Sequence, residues 1–297
     1  MAKTLYVIGN GFDLAHELET KLCCFRCYLK YKDDDSRKFL EALSKYVPFD
    51  ATWSNFEEAL GKIDSNQIEE DTMDYAQSPS DENFKDSSWG DPAYEASRAV
   101  AFSSEIPKYL KEWINSIRIE GRYLFSFQSN ALFLSFNYTN TLEIIYGISK
   151  DRICYIHGDS STDDVLICGH NNKFLPKENV VEESDFANQI QQVNDVIKGY
   201  YNATRKETQI YMQEHKAFFE QLSSVETIEI IGHSFENTID DDYFSYLKEK
   251  VSPNCKWEIS CYSDSDRKNN DTFAQRIGLQ NYKSYSLNPL FRITDER

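Results

Sequence analysis

A chain of 297 residues with 40% apolar and 14% aromatic side chains can bury a large core, as one α/β domain or as a core domain carrying a long insertion. No stretch approaches the ~18 uninterrupted apolar residues of a membrane span, and the start, MAKTLYVIGNGFDLAHE, offers an apolar run of strand length without the longer apolar region and cleavage site of a secretion signal, so the expectation is a cytoplasmic protein with no membrane partner. A formal charge of −17 removes the basic surface that direct nucleic-acid binding draws on, while leaving room for a small anionic ligand held by backbone N–H groups.

Seven scattered cysteines, Cys23, Cys24, Cys27, Cys154, Cys168, Cys255 and Cys261, make a poor disulfide framework and suit a reducing compartment. Cys23 and Cys27 share a helix face, but no second pair or nearby histidine completes a zinc site, and no metal is expected.

Near-continuous apolar runs predict buried strands at Thr4–Ile8, Ala131–Phe136, Arg152–Ile156, Val165–Cys168 and Thr227–Ile231. Lys256–Tyr262 alternates more, as an edge or half-exposed strand does, and Tyr282–Ser286 is a candidate seventh. Between the first two strands, helical periodicity at Leu14–Tyr31, Arg37–Tyr46, Ser54–Ile63 and Tyr94–Ile117 predicts a helical insertion, with an acidic loop at Glu69–Pro92. Further helices are expected over Asn140–Gly147, Asp185–Leu222, Asp241–Val251 and Asp266–Ile277, and a second helical excursion over Leu175–Leu222. Strands alternating with helices imply a Rossmann-like, mainly parallel α/β sheet flanked by helices. The chain reads as one domain over 1–297, with the helical insertion at 33–130.

Three places carry candidate chemistry. In VIGNGFDLAH a strand runs into Gly9, Asn10 and Gly11 and then a helix that includes Asp13, the general form of a phosphate cradle. The full G-x-G-x-x-G pattern is absent, and a tight turn alone would also ask for glycine. In LFLSFNYTNTLE a second strand ends in Asn137, Tyr138 and Thr139, where the Asn137 amide can donate to and accept from a ribose or a water. Thr139 or Asn140 can equally cap the following helix. The third place is a pair of strand ends bearing histidine, CYIHGD with His157 and IIGHSF with Gly232, His233 and Ser234. An imidazole at such a position can act as a general base, although a lone histidine is more often structural. Gly169-His170-Asn171 is a weaker candidate for the same rim. Asp240, Asp241 and Asp242 read most simply as acids at a helix start rather than metal ligands.

The combination of VIGNGFDLAHELET, WSNFEEAL at 53–60, SFNYTNTLE at 135–143, IHG at 156–158 and IIGHSFENTIDDDYF at 230–244 resembles the AbiH family of bacteriophage abortive infection over nearly the whole chain. That resemblance implies a role in halting phage propagation. A more distant similarity to sirtuin-like NAD-hydrolysing defence domains implies that Gly9, Gly11, Asn137, His157, Gly232 and Ser234 surround NAD, with Asn137 holding the attacking water or ribose and His157 serving as base or ribose contact. The sequence departs from those domains at Thr139, where they carry aspartate, at Asn10, where they carry a small residue, and in lacking Cys-x-x-Cys zinc pairs, which argues against deacylation. Glu57 is a further candidate to stabilise positive charge, against the plainer reading of a solvated helix carboxylate. The expected activity is NAD cleavage on triggering; a non-catalytic nucleotide sensor and a metal-dependent nuclease built on Asp240–Asp242 are the alternatives. A phage trigger, a partner protein and a homo-oligomer all remain open as partners.

Overall fold

The computed structural model describes residues 2–78, 82, 85, 90–172 and 186–287. Six strands, β1 (Thr4–Ile8), β2 (Leu132–Ser135), β3 (Ile153–Tyr155), β4 (Thr227–Ile231), β5 (Lys256–Cys261) and β6 (Tyr282–Ser286), form one sheet in the order β3-β2-β1-β4-β5-β6. Every pairing is parallel. This is the Rossmann-like order, built as two halves of three strands whose directions of travel part between β1 and β4.

The reason β1 sits at the centre is legible in its residues. All five positions of TLYVI are buried, and only a strand covered on both faces and both edges can be apolar throughout. Its side chains alternate between two cores. Leu5 and Val7 face one that includes Tyr243, Phe244, Leu247 and Phe273. Tyr6 and Ile8 face another with Phe12, Phe125, Phe133 and Leu142.

Among the described residues the chain forms thirteen α-helices. The first seven are α1 (Asn10–Ala15), α2 (Leu22–Lys32), α3 (Asp34–Tyr46), α4 (Phe56–Leu60), α5 (Ser65–Met73), α6 (Asp91–Val100) and α7 (Ile106–Ser116); after β2 come α8 (Thr141–Tyr146), α9 (Ala187–Ala203), α10 (Thr208–Glu214), α11 (Lys216–Phe219), α12 (Asp241–Lys250) and α13 (Asp264–Ile277). None of the described helices is long and apolar enough to cross a membrane. The residues group into two compact units. One, Met1–Cys24, Leu110–Ile167 and Glu207–Arg297, holds the sheet; the other, Phe25–Tyr109 and Cys168–Lys206, is helical.

Several expectations need correction. Val165–Cys168 forms no strand, Val165 is 73% exposed, and the chain passes at Cys168 into the helical unit. β5 lies inside the sheet between β4 and β6, and its polar positions are matched across the pairing, as in the Glu258–Lys283 ion pair. The helix expected at Leu14–Tyr31 divides around Glu17, whose φ is 62°. The stretch Asp185–Leu222 breaks after α9 because the backbone of residues 204 and 206 bonds to His170 instead of continuing the helix: His170 N–H donates to Thr204 O and Lys206 N–H to His170 O. Its first residue, much of Glu69–Pro92 and the start of the Leu175 excursion lie outside the described residues.

Candidate functional site

In a parallel sheet the carboxyl ends of all strands lie along one edge, so the exits of β3, β2, β1 and β4 are neighbours. The ladder continues one residue past each strand: Phe136 N–H donates to Ile8 O at 2.9 Å, Gly9 N–H to Ile231 O at 2.9 Å and Ile156 N–H to Ser135 O at 3.0 Å. Asn137, Gly9, His157 and Gly232 follow at this level, though the sequence scatters them widely.

The glycines are explained by backbone meeting backbone. A Cβ on Gly9 would lie 2.5 Å from His233 Cα, one on Gly11 2.7 Å from Gly232 Cα, and one on Gly232 2.3 Å from Phe12 N. Gly11 N–H donates to Gly232 O at 2.7 Å and Phe12 N–H to Gly9 O at 2.9 Å. The N–H groups that a phosphate cradle would offer at Gly9 and Gly11 are thus already bonded within the protein. What the turn achieves is to bring the start of α1 directly against the residues after β4.

Asn137 is buried, and its Nδ2 donates to Gly9 O at 3.1 Å, tying the β2 exit to the β1 exit. Next to it, Thr139 Oγ1 donates to Asp13 Oδ2 at 2.6 Å, and Thr141 Oγ1 donates to Thr139 Oγ1 at 3.1 Å. Burial pushes the Asp13 carboxyl up to about 6, opposed by its hydrogen bond from Thr139 and, less, by Thr141 and Asn137. Asn10 turns outward, donating to Thr20 O at 3.0 Å, and Ser234 is exposed. The Tyr138 hydroxyl donates to Ile167 O at 2.8 Å.

On the other side of Phe136 the two histidines converge on one carboxylate. His157 Nε2 lies 3.7 Å from Asp240 Oδ1, and His233 Nε2 lies 3.4 Å from Asp240 Oδ2. Phe136 packs edge-on to both rings, at 5.2 Å from His157 and 4.7 Å from His233. Asp240 precedes α12 but makes no side-chain cap to it. Its two neighbours are otherwise engaged: Asp241 takes a forked pair from Arg276 at 2.7 and 2.9 Å, and Asp242 accepts from Thr208 at 2.9 Å. A run of three like residues therefore has three different partners. No group of three or more metal-ligating side chains is arranged to hold an ion among the described residues. Sequence reasoning weighed Asp240, Asp241 and Asp242 only as a group and did not single out Asp240 as the one facing the two histidines, because three adjacent aspartates look alike at a helix start; the histidine seven positions before it was the available signal.

Residues 5–261, from β1 to the end of β5, match the family described as bacteriophage abortive infection AbiH. The chain belongs to this family. No curated protein and no solved structure matches it. Membership places this AbiH chain among proteins of abortive infection, the defence that stops a phage at the level of the infected cell.

The helical unit of this AbiH chain contains the WSNFEEAL segment. Asp50 accepts the N–H groups of Thr52, Ser54 and Asn55, which holds Trp53 at a φ of 58°. Trp53 and Phe56 both stack on Phe49. Glu57 is not a solvated carboxylate: it accepts from Lys206 Nζ at 2.9 Å, and the Lys206 side chain is 0% exposed. Gly169 and His170, expected on the sheet rim, belong to this unit, where buried His170 accepts from Asn172 N–H at 3.0 Å.

Proposed function

We propose that this chain binds a nucleotide beyond the carboxyl ends of β1 and β4 and, when infection triggers it, cleaves NAD at the nicotinamide–ribose bond. The observation that carries the reading is the strand order, with its reversal between β1 and β4. Sheets of this order take dinucleotides at the reversal. The chemistry asks for a water, a proton acceptor and negative charge near an oxocarbenium-like state. Asn137 positions the water, His157 accepts its proton, and Asp240 supplies the charge. The water oxygen bonds to the ribose C1′ as the C1′–N bond breaks, and the bonding pair stays on nicotinamide, which leaves neutral. NAD is here a substrate, and its phosphates are not assigned to the N–H groups of Gly9 and Gly11, which bond internally.

The test is nicotinamide release by the purified protein given NAD, with and without lysate from phage-infected cells. Release is expected only with the trigger, since an untriggered NADase would harm its host, and His157→Ala should reduce it by about 100-fold or more. NAD that stays intact under every condition that arrests the phage would overturn the reading. One observation favours a non-catalytic sensor: the His157 and His233 side chains are only 4% and 8% exposed. A sensor would keep both nucleotide binding and phage arrest in His157→Ala, whereas an enzyme would lose the arrest.

A further inference from the structure

We infer that His16 and Tyr146 form a clasp that holds the irregular stretch 121–127 onto α1 and α8, and that protonation of His16 opens it. The inference stands apart from the proposed reaction. Between α7 and β2 the chain forms neither helix nor strand over 118–128, so its buried N–H groups need partners outside regular structure. Two of them share one: Leu124 N–H donates to the Tyr146 hydroxyl oxygen at 3.0 Å and Phe125 N–H at 3.2 Å. The same hydroxyl meets His16, the residue that caps the end of α1. His16 Nε2 lies 2.8 Å from the Tyr146 oxygen, and Nδ1 lies 2.8 Å from Phe12 O. The stretch passes close by, since a Cβ on Gly121 would lie 3.1 Å from Ile145 Cδ1 and 3.7 Å from His16 Cδ2.

Each hydrogen in this set has one place. Phe12 O is a carbonyl and only accepts, so His16 Nδ1 carries the hydrogen and Nε2 the lone pair. Tyr146 O–H therefore donates to Nε2, and its oxygen accepts the two amides. Burial pushes the Tyr146 hydroxyl up to about 12, so it keeps its hydrogen near neutral pH. The arrangement is complete for a neutral ring and for no other. An imidazolium donates from both nitrogens. Its Nε2–H would meet an oxygen that already holds two N–H groups, and the hydroxyl hydrogen would lose its acceptor. The charged donor makes the stronger bond, so the amides of Leu124 and Phe125 are displaced. Burial holds His16 below its ordinary 6.5, opposed by the bond to Phe12 O. The folded state thus takes the proton less readily than the unfolded chain. The clasp is at full strength above about pH 6.5 and weakens as pH falls through the lower folded value. Other ionisable groups on the surrounding elements are engaged or exposed. Asp13 on α1 accepts from Thr139, and Glu143 on α8 accepts from the Tyr155 hydroxyl. Glu17, Glu19 and Arg122 are exposed, as is Tyr123, which meets Tyr146 edge-on at 5.4 Å.

Hydrogen exchange of the full chain, read by nuclear magnetic resonance together with the 15N shifts of the His16 ring, tests the clasp. At about pH 7.5 the ring should be the Nδ1–H tautomer, with Leu124 and Phe125 protected. As pH is lowered until His16 is charged, their protection factors should fall about 10-fold or more at the His16 midpoint, while Val7 in β1 keeps its protection. Tyr146→Phe lacks the acceptor, so its two amides should be weakly protected throughout, with no step. Asp13 also titrates, at about 6, so the series is repeated in Asp13→Asn, where the step should persist. If Tyr146→Phe does not fold, the wild-type and Asp13→Asn series decide. An Nε2–H tautomer, protection that stays flat while His16 titrates, or loss of Val7 protection in the same step overturns the inference. So does a step that vanishes in Asp13→Asn or survives in Tyr146→Phe.

Discussion

At Gly232 a single hydrogen atom separates a working junction from a clash. Its φ is 69°, and a Cβ would stand 2.3 Å from Phe12 N, against backbone that has nowhere to move. Gly232→Ala should cost about 3 kcal/mol in urea denaturation, from strain and overpacking together. Gly147 is the control: its φ is 63° but nothing lies within 4 Å, so Gly147→Ala should cost about 1 kcal/mol. Asp13 gives a prediction in pH. Its folded carboxyl is raised to about 6 from an ordinary 3.8, so the folded state holds the proton more tightly than the unfolded chain. Stability from this group is fully present below about pH 4 and falls as pH rises to about 6, by roughly 3 kcal/mol. Asp13→Asn lacks that titration, so its stability relative to wild type should climb over the same window; a parallel pH dependence in the two proteins would exclude it. Glycine, asparagine and histidine were visible in the sequence as candidates. That Gly11 spends its N–H on Gly232 O was not, because the partner lies more than two hundred positions away.

Helices and strands differ in how well local sequence marks their limits. β1 was legible to the residue, because an unbroken apolar run bounded by Lys3 and Gly9 has one reading. α13 was expected from Asp266 and begins at Asp264, since Ser263 forms a capping box: its Oγ accepts Asp266 N–H at 3.1 Å and Asp266 Oδ2 accepts Ser263 N–H at 2.9 Å. Ser263→Ala should therefore lower stability by about 1 kcal/mol, checked by thermal or urea unfolding. Val165–Cys168 shows the opposite failure. Four apolar residues satisfy a strand pattern, but no neighbouring strand accepts them, and pairing is a property of the partner as much as of the segment. The break between α9 and α10 has the same origin, a competing backbone partner at His170 that periodicity does not register.

Over the whole molecule the formal charge of −17 opposes compactness. The exposed ion pairs, such as Lys3–Glu226 and Arg98–Glu95, each contribute little and are screened by salt. Self-repulsion should dominate, so raising sodium chloride from about 20 to 200 mM should raise Tm; a fall would mean that the pairs outweigh the net charge. The sequence by itself determined the class of fold, the central strand, the family and the residue types that could do chemistry, because these depend on local pattern and composition. Only the tertiary structure decided the strand order, that the glycines close a backbone contact, that Glu57 meets a buried lysine, and that Asp240 faces His157 and His233 while Asp241 and Asp242 face elsewhere. Those facts are set by which distant segments meet, and meeting is decided by the packing of the two cores around one sheet rather than by any stretch of chain read alone.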